Sequence, residues 1–141
     1  MQYRLRRSAQ HNRKHPRITA DHSVTSIADV DMMDADDSMN LPVTRGPHLT
    51  EGLVGLHLAN YDYVVSLAHF KGHTMDDFGG AVKNCSIEIA SRVGEMLIHS
   101  AGASSTSWGN PSQDDFLESM AEVAKAVSEH FGAAAPCPMP T

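Results

Sequence analysis

The chain lacks long apolar runs; its longest uninterrupted ones are only a few residues. A membrane-crossing helix needs about 20 such residues, so the sequence predicts no spanning segment. Cysteine is nearly missing. Cys85 and Cys137 are the only two, with 51 residues between them. That separation offers no paired-cysteine metal spacing. No apolar h-region stands near the start, so the sequence predicts no secretory signal, and a cytoplasmic setting with two free thiols is expected.

Acid is missing from residues 1–17, which carry Arg4, Arg6, Arg7, Arg13, Lys14 and Arg17. The remainder holds five basic and 17 acidic side chains, so a +6 arm precedes a body of −12. A basic arm can address nucleic acid or an organelle. This one has no basic-aromatic face, and Tyr3, Leu5 and Ala9 make a poor apolar stripe for a transit peptide. Residues 1–20 therefore read as a disordered or foreign leader, with neither nucleic acid nor membrane as partner.

What is present fits one soluble domain. The 141 residues are 41% hydrophobic, near the usual share for a globular chain. A compact chain of this length buries roughly 68% of its unfolded surface, enough for one core. The domain is expected over 21–132, followed by a proline-punctuated tail at 133–141.

Periodicity assigns the elements. Val24 to Val30 alternates and is β-branched, which predicts a short strand. The acids Asp29, Asp31, Asp34, Asp36 and Asp37 follow. Tested as a calcium loop they fail, because Met39 replaces the required glycine and Arg45 the bidentate glutamate. A solvated acidic loop remains. Thr50–Leu58 fits a helix and a strand equally well. Tyr63-Val64-Val65-Ser66-Leu67-Ala68 is nearly continuous in apolar character, as a strand covered on both faces should be. Ile87–Ala90 is ambiguous, and Met96–His99 reads as a strand end. The surest helix spans about 112–131, capped by Ser112, acidic in its first turn and stopped by Gly132. The fold class is α/β, a partial layered sheet with flanking helices.

Residues 69–84 are chemically dense. His69 and His73 have the spacing of a helical zinc pair, but Phe70 stands where a zinc protease needs glutamate, and that activity is rejected. Gly79-Gly80 before Lys83 could expose backbone amides to an anion, or simply make a tight turn. The stretch matches neither the dinucleotide fingerprint nor the phosphate loop. Asn84-Cys85-Ser86 fits a glycosylation pattern that is idle without a secretory route.

The run DYVVSLAHFKGHTMDDFGGAVKN, with IASRVGEMLIHSAG and WGNPSQDDFLESMAEVAKAV after it, resembles the domain-of-unknown-function family DUF362. The resemblance covers about residues 24–131, and Lys71, His73, Lys83 and Asn84 carry its signature. Members are often described as iron–sulfur centre proteins and are more than twice this long. The resemblance thus implies a fragment of a larger protein whose full form holds an iron–sulfur cluster, while this chain lacks the cysteines for one. Asp76, Asp77 and Glu88 stand where the family usually has small residues, adding negative field around the site. A more distant similarity links His73, Gly79-Gly80, Lys83 and His99 to nickel-pincer lactate racemases. It implies a covalent tether at Lys83, nickel ligation by His99 and proton transfer by His73.

These readings give the functional expectation. The full-length form is a redox or isomerase-type enzyme with His73 and Lys83 catalytic and His99 a metal ligand. The alternatives are a non-catalytic module that holds a small anionic ligand through Lys71, Lys83 and the Gly79-Gly80 amides, or an inactive remnant; Lys71, Gly79, Gly80 and Asn84 are the candidate cofactor-binding residues. No cofactor is expected in this chain alone, apart from a nickel-pincer group. His73, Lys83 and His99 are expected to converge beside the end of the 63–68 strand.

Overall fold

Strand β1 (Ser38–Pro42) and strand β2 (Glu51–Gly55) form an antiparallel pair, with Met39 opposite Val54 and Leu41 opposite Gly52. Opposed residues share a face, so these four make one apolar surface. The computed structural model describes residues 20–69, 71–73 and 77–132. The leader before residue 20 and the tail at 133–141 lie outside them. A second antiparallel pair joins β3 (Lys71–His73) to β4 (Asp77–Gly79). Helix α1 (Ala81–Lys83) runs into a π-turn at Asn84–Glu88, followed by α2 (Arg92–His99) and α3 (Gln113–His130). Helix and strand are mixed as the α/β class requires, although both sheets have two strands.

Helix α3 covers the β1–β2 face. Its buried stripe, Phe116, Met120, Val123, Ala126 and Val127, follows the 3–4 spacing of a single helical face. Each of these side chains larger than alanine contributes about 1.5–3 kcal/mol when fully buried. Glycine permits the close approach, because a Cβ on Gly52 would meet Val123 Cγ1 at 3.3 Å. Ser112 caps the helix by accepting from the Asp115 amide at 3.1 Å, a contact worth about 1 kcal/mol. Gly132 ends it at φ 68°, as expected. The 43–50 connection is pinned to α3 by Glu122, whose buried carboxylate accepts from the amides of His48 (3.2 Å) and Leu49 (2.8 Å).

Helix α2 locks the sheet edge. The Gly55 amide donates to Ile89 O and the Ser91 amide to Leu53 O, both at 3.0 Å. Ser91 then caps α2 by accepting from the Gly94 amide. Leu58, Ile87, Ile89 and Ile98 complete a single core with the α3 stripe.

Three expectations are corrected. The strand expected over 24–30 is a 3-10 turn at Val24–Ser26. The Ser26 hydroxyl closes it on Ser23 O at 2.7 Å, and Ile27 is 87% exposed. Met96–His99 is the last turn of α2, because a short apolar run does not separate strand from helix by itself. The largest correction concerns 63–68. No strand forms there, and Tyr63, Val65 and Leu67 are 75%, 70% and 89% exposed. β-propensity measures fit to a pleated, half-buried surface, and the described residues offer this segment no ladder. Of the two readings open for Thr50–Leu58, strand holds to Gly55 and a 3-10 turn takes Leu56–Asn60.

Candidate functional site

The β3–β4 pair brings Lys71 opposite Gly79, and α1 returns Lys83 to the same glycine. A Cβ on Gly79 would lie 3.5 Å from Lys71 Cε and 3.7 Å from Lys83 Cδ. Two lysine stems thus cover one buried glycine and place both ammonium groups in one neighbourhood, as long cationic side chains do on apolar backbone. Lys71 is exposed. Lys83 is 15% exposed and pairs with Glu88 at 3.0 Å.

The π-turn makes that pair. In an α-helix residues five apart are separated by about 140° around the axis. The wider turn at Asn84–Glu88 brings Glu88 back beneath Lys83. π-turns of this kind are frequent at functional sites. Asn84 and Cys85 face the exposed 64–67 segment across a hollow of about 400 Å³. The Ser66 hydroxyl on its wall is buried without a hydrogen-bond partner among the described residues.

His99 belongs to α2 and packs its ring against Trp108 (4.6 Å between centroids) and Phe116 (4.9 Å). Its Nδ1 lies 2.8 Å from Glu95 O. A carbonyl only accepts, so Nδ1 carries the proton and Nε2 is left with the lone pair in the neutral ring. Glu95 connects the two neighbourhoods. Its carbonyl orients His99, and its carboxyl lies in the fields of Glu88, Asp34 and Lys83. Burial first, then the neighbouring Glu88 and Asp34, push that carboxyl above the usual range.

A larger groove of about 560 Å³ opens beside it, lined among others by Met33, Asp34, Glu88, Arg92, Glu95 and Trp108. This groove is not visible in the sequence, because its acids come from two distant stretches, 31–37 and 88–95. In the sequence Asp31 and Asp34 belong to a solvated acidic loop that fails the calcium template.

Among the expected site residues, Lys71, Gly79 and Lys83 come together, with Asn84 at the next turn. Gly80 starts α1, and its carbonyl accepts from the Asn84 amide at 3.1 Å. His99 lies in the α2–α3 contact, against Trp108 and Phe116. His73 lies by its backbone opposite Asp77; its side chain, Phe70 and 74–76 are outside the described residues. With 71–73 in a strand, His69 and His73 do not form a helical zinc pair.

The cysteines present do not fit the implied iron–sulfur cluster. An iron–sulfur cluster takes four thiolates, and the chain has two cysteines. Among the described residues no group of three His, Cys, Asp or Glu is arranged to hold a metal ion. Within the same residues no helix is long and apolar enough to cross a membrane.

The family profile described as domain of unknown function DUF362 covers residues 6–135, a wider span than the 24–131 over which the resemblance was read. Neither a curated protein nor a solved structure matches the chain.

Proposed function

Because the chain belongs to the DUF362 family, we propose that it is an anion-binding member holding a small carboxylate or phosphate between Lys71 and Lys83. The observation that carries this reading is the convergence of both lysine stems on Gly79. Glu88 keeps the Lys83 ammonium in place while the site is empty and yields it to a stronger anion. The partner is thus a small molecule, and a cytoplasmic setting with reduced thiols accompanies the reading.

The test is titration with inorganic phosphate and with acetate, read by the amide shifts of Gly79 and Gly80. Saturable shifts are expected. Lys71→Met should weaken binding about fivefold, as should Lys83→Met, and the double variant should lose it, each charge-assisted contact being worth about 1 kcal/mol at an exposed site. Shifts that fail to saturate by about 10 mM, where binding energy falls below about 3 kcal/mol, would discard the site.

A second reading has its own support. With Nδ1 donating to Glu95 O, the His99 ring presents its Nε2 lone pair as an acceptor, which suits the redox or isomerase-type chemistry implied for full-length relatives. Stoichiometric nickel, lost in His99→Ala, would favour this reading over simple anion binding.

A further inference from the structure

His57 sits on the 3-10 turn after β2, and both its ring nitrogens meet carboxylates. Nδ1 lies 2.7 Å from Asp31 Oδ1 and Nε2 lies 2.9 Å from Asp36 Oδ2. An ionised carboxylate only accepts hydrogen bonds, so this geometry requires both nitrogens to donate. The ring is therefore an imidazolium. In a neutral ring one lone pair would face one carboxylate and that bond would become a repulsion.

We infer that His57 is a proton-operated clasp on the 31–37 loop, which forms one wall of the 560 Å³ groove. The loop is otherwise tied to this turn by two main-chain bonds. The Leu56 amide donates to Asp37 O at 2.9 Å and the His57 amide to Met33 O at 3.0 Å. The groups facing the ring are Asp31 and Asp36 of the loop. Behind Asp31 stands Tyr61, whose hydroxyl donates to Asp31 Oδ2 at 2.8 Å. Asp34 and Asp37 of the same loop line the groove instead.

The directions of titration agree with the geometry. Hydrogen bonding to Asp36, then to Asp31, raises the His57 pKa above its ordinary value. The same bond from His57, then that from Tyr61, holds Asp31 below the usual carboxylate range. A raised histidine stabilises the folded loop fully below about pH 6.5 and loses its effect as pH climbs through the raised value. The depressed Asp31 adds stability above its unfolded value of about 3.9, lost as pH falls through the lower folded one. The clasp is shut between those limits and opens on the alkaline side.

The experiment is proton NMR of the His57 ring together with intrinsic-rate-corrected amide protection at Leu56 and His57. Between about pH 6 and about pH 9 the wild type should lose about fivefold in protection, the factor an exposed ion pair supports. His57→Gln should show the lower protection at both pH values. Asp36→Asn should keep high protection at both, because an amide can donate to the neutral ring where a carboxylate cannot. A His57 that titrates at or below about 6.5 would overturn the clasp. So would a pH response that persists unchanged in His57→Gln.

Discussion

Gly94→Ala is expected to lower stability by about 3 kcal/mol, a large overpacking penalty for a single methyl group. An alanine within a helix normally gains about 1 kcal/mol over glycine, so the sign here is opposite to propensity. The reason is contact with backbone. A Cβ at position 94 falls on the carbonyl oxygen of Leu53, the same oxygen that accepts from the Ser91 amide at 3.0 Å. Neither atom can move cheaply. Leu53 is held in the β1–β2 ladder opposite Asn40, and Ser91 is the cap of α2. To admit the methyl group α2 must lift from the sheet edge, losing the cap junction and part of the packing around Ile98. Urea unfolding measures this. A midpoint equal to or above that of the wild type would mean that α2 does not pack as closely as described.

Phe116→Ala should cost about 3–5 kcal/mol, the usual range for an aromatic truncated in a core. Phe116 is 2% exposed, lies one turn into α3 and supports the His99 ring. Its removal opens a cavity at the α2–α3 contact, where α2 is held against the sheet edge at Gly94 and cannot collapse inward freely. Total stabilities are about 5–15 kcal/mol, so this single change consumes a large share. The variant should show a lower denaturant midpoint with an unchanged slope. Loss below about 1 kcal/mol would place Phe116 at a surface rather than in the core.

Helix α3 was legible because every local signal agreed. Ser112, the acids Asp114 and Asp115, the Phe116–Val127 stripe and Gly132 each mark the same element, and such agreement is what specifies structure. The turn-and-strand region from 63 to 79 was legible only as composition. Tyr63–Ala68 has the side chains of a buried strand, yet burial depends on partners that a local pattern does not contain. Lys83 stands out in the sequence beside Gly79-Gly80 and Lys71 through the family resemblance, while their meeting over Gly79 depends on strand register and on the short helix α1, neither of which leaves a sequence period. His57 had no local signal at all. Its two carboxylate partners lie 26 and 21 residues earlier, and only folding brings them within reach.

The exposed run from Tyr63 to Leu67 has a consequence for how the chain meets proteases. Large apolar side chains on an exposed, irregular backbone are what chymotrypsin-like enzymes take into their clefts, and such segments are preferred sites of nicking. A cut after Leu67 would leave β1 and β2 on one piece and α1, α2 and α3 on the other. Those pieces are held by the Gly55–Ile89 and Ser91–Leu53 hydrogen bonds and by the shared core of Val54, Phe116 and Val123. The covalent chain would be divided while the two parts stayed folded on each other, a nicked species that separates only in denaturant.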